Sequence, residues 1–65
     1  MVQASTTNSL PLQRRMELFH RLVLAQDYGM STAEAREMLF HLYGLDETQV
    51  VQIEREGVEN DWPPL

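Results

Sequence analysis

The sequence predicts an all-α fold: a small three-helix bundle with a flexible N-terminal arm and an extended C-terminal tail. In three segments, apolar residues recur at intervals of three and four, the spacing of one helix face. Gly29 and Gly44 separate these segments, and Ser31 and Asp46 follow them in positions typical of helix N-caps. No segment shows the strict apolar–polar alternation of a half-buried strand.

The first helix is predicted at about residues 11–27, after a polar arm at residues 1–9 that is rich in Ser, Thr and Asn. Pro11 suits the first turn because its missing N–H would have no intrahelical partner there. The predicted apolar face comprises Leu12, Met16, Phe19 and Val23, widened by Leu18, Leu22 and Ala25. Gly29 ends this helix.

The second helix is predicted at residues 32–43, because Ser31 and Glu34 have the spacing of a capping box. Its expected buried stripe comprises Ala35, Met38, Leu39 and Leu42. Gly44 is placed to adopt the left-handed conformation after the helix, and Leu45 would then contact Phe40 in a Schellman motif.

The third helix is predicted at residues 47–56, opened by a capping box between Asp46 and Gln49. Val50 and Ile53 form its core face. The pair Gly57 and Val58 repeats the glycine–apolar pattern of a helix end, so the domain is expected to span residues 10–58. Residues 59–65 contain two consecutive prolines and are therefore expected to be extended.

The chain is acidic, and this limits its partners. Ten acidic residues stand against five arginines, giving a net charge of -5 and a pI near 4.7. A cationic surface is needed to bind nucleic acid or an anionic membrane, so both are disfavoured. Neither a membrane-spanning run nor a signal peptide is recognisable, which gives a cytoplasmic localisation as the expectation. A 65-residue chain without cysteine has few means of stabilisation, so a homodimer or another protein partner is expected.

The side-chain inventory does not favour an enzyme. His20 and His41 lie on polar flanks of their helices, and the simplest interpretation is that they are solvated surface residues. A metal site that combines them with Glu37 lacks recognised ligand spacing. We therefore expect no catalytic residue, no cofactor and no metal.

Two aromatic residues have alternative roles. Phe40 lies off the main apolar stripe, so it is either the partner of Leu45 or an exposed anchor beside Arg36. Trp62 either folds back to cap the helices or belongs to a Trp-Pro-Pro peptide that enters a groove of a partner.

The stretch GLDETQVVQIERE, Gly44–Glu56, resembles the helix-turn-helix of bacterial sigma factors. The resemblance rests on Gly44, Leu45, Asp46, Val50 and Ile53 and on the ending VVQIERE. It implies a DNA-recognition helix, in which Gln52 and Arg55 would be the contacts. The early exposed positions, where such domains carry arginines and other donors, hold Glu47, Thr48 and Gln49 here.

The stretches GMSTAEAREML and GLDETQVVQI are similar to ubiquitin-associated-type three-helix modules. The matching positions are Gly29, Met30, Ser31, Glu34, Ala35, Leu39, Val50 and Ile53, with Leu22, Ala25 and Tyr28 upstream. In that family, the loop between the first two helices and the end of the third form the binding patch. The resemblance therefore implies a patch at Tyr28, Gly29, Met30 and Val50–Ile53.

We expect a small non-enzymatic protein–protein interaction or regulatory module, with a helix-turn-helix DNA-binding transcriptional regulator as the alternative. The expected partner is another protein, with the Trp-Pro-Pro tail as one candidate contact, or a second copy of the chain. The candidate partner-binding residues are Tyr28, Met30, Arg36, Phe40, Val51, Gln52, Arg55 and Trp62. DNA binding would require the arginines to converge in one basic stripe.

Overall fold

The computed structural model describes residues 10–64 and contains three α-helices in that range. They are α1 (Leu12–Asp27), α2 (Thr32–Tyr43) and α3 (Glu47–Glu59), and each helix contacts the other two. The predicted three-helix fold is confirmed, and the starts of the helices lie within one residue of their predicted positions. The arm predicted at residues 1–9 lies outside the described residues.

One core joins the three helices. Each helix contributes two or more side chains with almost no exposed surface, and the segment after α3 adds an indole. The core residues are Leu18, Phe19, Leu22, Ala25, Ala35, Leu39, Val50, Ile53 and Trp62. The sequence predicted all of these as core, with Trp62 as one of two alternatives.

Two residues predicted to be buried are exposed. Leu12 retains 51% of its accessible surface and Leu42 retains 66%, so their assignment to the core is wrong. Both helices carry more apolar residues than one face can bury. The packed face of α1 is centred on Leu18 and Leu22, and that of α2 is centred on Ala35 and Leu39.

Both predicted capping boxes are present. The hydroxyl of Ser31 accepts the N–H of Glu34 at 3.1 Å, and the Glu34 carboxylate accepts the N–H of Ser31 at 2.9 Å. The same exchange links Asp46 and Gln49, at 2.9 and 3.1 Å. These bonds satisfy backbone donors that the first turn of a helix leaves without partners, and they fix the starts of α2 and α3.

A Schellman motif ends α1 rather than α2. Gly29 has a φ of +105°, and its N–H donates to the carbonyl of Gln26 at 3.0 Å. The N–H of Met30 donates to the carbonyl of Ala25 at 3.1 Å, which completes the motif. At the end of α2, Gly44 has a φ of +67°, and its N–H donates to the carbonyl of Phe40 at 3.0 Å. This bond belongs to the simpler left-handed cap, so the glycine was predicted correctly but its motif was not.

The predicted end of α3 is wrong, because Gly57 lies inside the helix. A Cβ atom built on Gly57 would come closer than 3.0 Å to three ring atoms of Phe19. Glycine at this position therefore lets α1 and α3 approach closely, and it does not stop the helix. The helix ends at Glu59, and Asp61 adopts the left-handed conformation with a φ of +52°. Asp is one of the few residues other than Gly that adopts this conformation.

The segment after α3 folds back against the bundle, and Glu59, the first residue of the predicted tail at 59–65, still belongs to α3. The N–H of Trp62 donates to the carbonyl of Gly57 at 2.9 Å, and that of Asp61 donates to Val58 at 3.4 Å, so a second Schellman motif directs the chain. The indole of Trp62 is 8% exposed and meets the ring of Phe19 edge to face, with the centroids 6.0 Å apart. Of the two roles predicted for Trp62, a cap on the helices or a ligand for a partner's groove, the structure shows the cap.

Two ion pairs connect α3 to its neighbours. Arg15 donates two hydrogen bonds to the carboxylate of Glu56, both at 2.9 Å, and a third to the carbonyl of Leu10. The pKa of Arg15 is raised, mainly by its hydrogen bond with Glu56. Burial lowers this pKa, and the negative charge of Glu56 raises it further. Arg36 donates to one oxygen of Glu54 at 2.7 and 3.1 Å.

Candidate functional site

An apolar groove of about 310 Å³ lies where the C-terminal half of α1 meets α2, and we call it the α1–α2 groove. Helical spacing builds its walls: Leu24 is one turn before Tyr28, the residue that caps the end of α1, and Met38 and Leu42 are one turn apart on α2. Its lining residues are Arg21, Leu24, Ala25, Tyr28, Met30, Met38, Leu42 and Tyr43.

Exposed apolar side chains concentrate in this groove. Tyr28 is 86% exposed, Leu42 66%, Met30 41% and Leu24 37%. Within residues 10–64, only two other large apolar side chains are comparably exposed, and they are Leu12 and Val58. Single exposed apolar residues are common on protein surfaces, whereas a contiguous group is characteristic of a binding surface.

The turn after α1 positions the end of the groove. Because the Schellman motif brings the N–H of Met30 back to the carbonyl of Ala25, the Met30 side chain lies beside the last turn of α1. Tyr28 occupies the final position before Gly29 and points largely into solvent. A hydrogen-bonded turn, and not a loose loop, therefore presents both side chains.

A second surface, which we call the α3 face, is more polar. Val51, Gln52 and Arg55 line a shallow depression with Glu47 and Thr48. Val51 and Arg55 also line an adjoining depression. Its other lining residues are Arg36, Glu54, Val58 and Glu59. Charges of both signs alternate there, and the ion pair of Arg36 with Glu54 neutralises part of them.

The eight sequence-predicted site residues are divided among three places. Tyr28 and Met30 lie in the α1–α2 groove. Four candidates gather on the α3 face, and these are Arg36, Val51, Gln52 and Arg55. Phe40 is partly buried and packs against the core, as does Leu45. Trp62 is a core residue, so a partner could reach its indole only by displacing it from Phe19.

Sequence reasoning missed most of the groove. It left Leu24 and Arg21 without a binding role, and it placed Met38 and Leu42 in the core. A signal was present in the four consecutive apolar residues at 22–25, because a helix cannot turn four successive side chains toward one neighbour. Residues 38–43, which are apolar at every position except His41, carry a similar signal on α2.

Neither a cluster of metal-binding side chains nor a membrane-spanning helix is found among the described residues. Between Leu10 and Pro64, no three His, Asp or Glu side chains are grouped closely enough to hold a metal ion. His20 and His41 are both exposed. No helix in that part of the chain has the length and apolar character needed to cross a bilayer.

No protein-family model matches this chain, and no curated protein or solved structure matches it.

Proposed function

We propose that this protein is a non-enzymatic protein-binding module whose α1–α2 groove receives the apolar face of a helix from another protein. The observation that carries the proposal is the convergence of Leu24, Tyr28, Met30 and Leu42, all exposed, on one concave surface. A groove between two helices that accepts a third is a recurrent mode of recognition, with apolar anchors one turn apart.

The residue types in the groove suit contact with a protein. Met30 and Met38 have flexible thioether side chains that adapt to the shape of an apolar partner. Tyr28 and Tyr43 offer large ring surfaces with a polar hydroxyl, a combination that is enriched at binding hot spots. Arg21 adds a charged group at which a partner's orientation can be fixed.

The distribution of arginines favours this proposal over a DNA-binding regulator. Arg14, Arg15 and Arg36 each form an ion pair with a glutamate. The two remaining arginines are on different surfaces, since Arg21 lines the α1–α2 groove and Arg55 is on the α3 face. A basic stripe along one face, which phosphate contacts require, is therefore not assembled.

A pair of matched double variants tests the proposal. Met30→Ser/Leu42→Ser removes two apolar side chains from the groove, whereas Leu12→Ser/Val58→Ser removes two of comparable exposure elsewhere. Each variant and the original chain are immobilised and exposed to an extract of the cells that produce the protein. We expect a protein captured by the original chain and by the Leu12/Val58 variant to be lost with the Met30/Leu42 variant.

Circular dichroism at increasing temperature must show that all three chains fold to the same extent, because loss of capture from an unfolded variant carries no information. If folded Met30→Ser/Leu42→Ser captures the same proteins in the same amounts, the groove is not the binding surface. Retardation of duplex DNA by the original chain in a low-salt gel would instead support the regulator.

A further inference from the structure

We propose that the helix bound in the α1–α2 groove is cationic, with Lys or Arg flanking its apolar stripe. This inference rests on the proposed function, and it adds the chemistry of the partner. Two observations support it: the charges of the residues around the groove, and the ion pairs that three of the five arginines form with glutamates.

Internal ion pairs leave a large excess of negative charge. All ten acidic residues lie in the described part of the chain, and three of them pair with arginines: Glu17, Glu54 and Glu56. Seven carboxylates then remain against Arg21 and Arg55, which form no ion pair with any residue in the range 10–64. A cationic partner would complement this excess, and an anionic one would be repelled.

Helical spacing places three of these carboxylates beside the groove, and we call them the acidic rim: Asp27, Glu34 and Glu37. Asp27 is three residues after the lining residue Leu24, and Glu37 is three residues after Glu34, so each pair lies side by side on its helix. Glu34 is one helical turn before Met38, so the two share a face of α2. All three acidic residues are exposed. The capping box restrains Glu34, because one of its carboxylate oxygens accepts the N–H of Ser31.

Arg21 is the only cation in the lining of the groove, and it is on the α1 wall. Its guanidinium favours one carboxylate on the partner, or the carbonyls at the C-terminus of the partner's helix. This contact would distinguish the two directions in which a helix can lie in the groove. The guanidinium of Arg14 also lies 5.3 Å from the centroid of the Tyr43 ring, but its charge is compensated by the ion pair with Glu17. Arg21 therefore remains the one cation near the groove without an ion pair in the described residues, against three carboxylates of the acidic rim.

A second copy of this chain is a poorer occupant than a cationic helix. Two copies carry a charge of -5 each, so they repel one another as they approach. A two-fold symmetric contact through the groove would also place one acidic rim close to the other. Like charges facing each other across an interface disfavour the complex.

Two synthetic amphipathic peptides of about 16 residues serve as probes, a length at which an isolated helix begins to be stable. Both have leucines at helical spacing on one face, and they differ in carrying either Lys or Glu at every flanking position. Each is labelled with a fluorophore and titrated with the intact protein while anisotropy is measured. We expect the Lys peptide to bind at least about tenfold more tightly than the Glu peptide, and salt to reduce that difference.

Two variants of equal charge locate the effect. Asp27→Asn/Glu34→Gln/Glu37→Gln neutralises the acidic rim, and Gln at position 34 still provides the oxygen that the capping box needs. The matched control neutralises three carboxylates outside the acidic rim: Glu47→Gln/Glu59→Gln/Asp61→Asn. We expect the rim variant to lose most of the preference for the Lys peptide and the control to retain most of it. Met30→Ser/Leu42→Ser, which removes apolar side chains from the groove, should weaken binding of the Lys peptide.

The outcomes separate this inference from the proposed function. Equal binding of both peptides, lost in the Met30/Leu42 variant, would overturn the cationic partner and leave the groove as a helix-binding site. Equal losses in the rim variant and its control would overturn the role of the acidic rim. If neither peptide binds, both proposals fail. Sedimentation showing a dimer that Met30→Ser/Leu42→Ser dissociates would identify a second copy as the occupant and overturn the inference.

Discussion

Gly57→Ala should destabilise the protein, although the same change inside most helices is stabilising. Replacing an interior glycine by alanine ordinarily contributes about 1 kcal/mol to helix stability. Here the new methyl group would overlap three atoms of the Phe19 ring. That ring is 1% exposed and is held by Trp62, so it cannot move aside freely. Overpacking of this kind costs about 3 kcal/mol at the upper end of the usual range, which leaves a net loss of about 2 kcal/mol.

Thermal and urea unfolding, followed by the fluorescence of the single Trp62, would measure this change. For a domain of this size, about 2 kcal/mol corresponds to a fall in Tm of about 8–16 °C. A rise in Tm would refute the close approach of Phe19 to Gly57. A fall in Tm alone does not establish this contact, because alanine would also be destabilising if Gly57 ended the helix in the left-handed conformation.

A double-mutant cycle with Phe19→Leu separates these two explanations. If the Phe19 ring is what excludes a side chain at position 57, a smaller residue at position 19 should remove much of the penalty of Gly57→Ala. We expect a coupling free energy of about 1 kcal/mol or more between the two substitutions. Strictly additive effects would show that the glycine is required for its backbone conformation instead.

Three further predictions concern stability, and urea unfolding checks each of them. Leu42→Ser should change the free energy of unfolding by less than about 0.5 kcal/mol because Leu42 is exposed. Leu39→Ala, in the core, should lower it by about 2–5 kcal/mol. Similar losses at both positions would contradict the exposed groove. Asp61→Gly should add up to about 1 kcal/mol because glycine adopts the left-handed conformation without steric cost, and a loss would argue against the turn at Asp61. Glu56→Gln should cost about 1 kcal/mol by weakening the two hydrogen bonds from Arg15, and no change would mean that the pair contributes nothing in solution.

The predictable part of the fold depends on interactions close in sequence. The capping boxes at Ser31 and Asp46 involve residues three positions apart, so their patterns alone were sufficient to place the starts of α2 and α3. Gly57 could not be interpreted in this way. A glycine that ends a helix and a glycine that admits a neighbouring ring look alike in sequence, and the ring of Phe19 is 38 positions away.

The candidate site was predicted in part for a related reason. Tyr28 and Met30 stand out locally because they border a glycine turn, and the structure places both in the α1–α2 groove. Leu42 has the spacing of a core residue on α2, and only the packing of α1 against α2 shows that it remains outside. Trp62 had two roles that sequence could not separate, because its burial depends on Asp61 adopting a conformation more usual for glycine.

Photo-crosslinking from Tyr28 would test most directly whether the α1–α2 groove binds another protein. A benzophenone amino acid replaces Tyr28, which is 86% exposed, and a control chain carries it at Leu12, which is exposed outside the groove. Both chains are irradiated in the cells that produce them, and the adducts are identified by mass spectrometry. We predict a discrete adduct from position 28 with a protein helix, absent from position 12. Identical adduct patterns from the two positions, or none from position 28, would contradict the proposed docking groove.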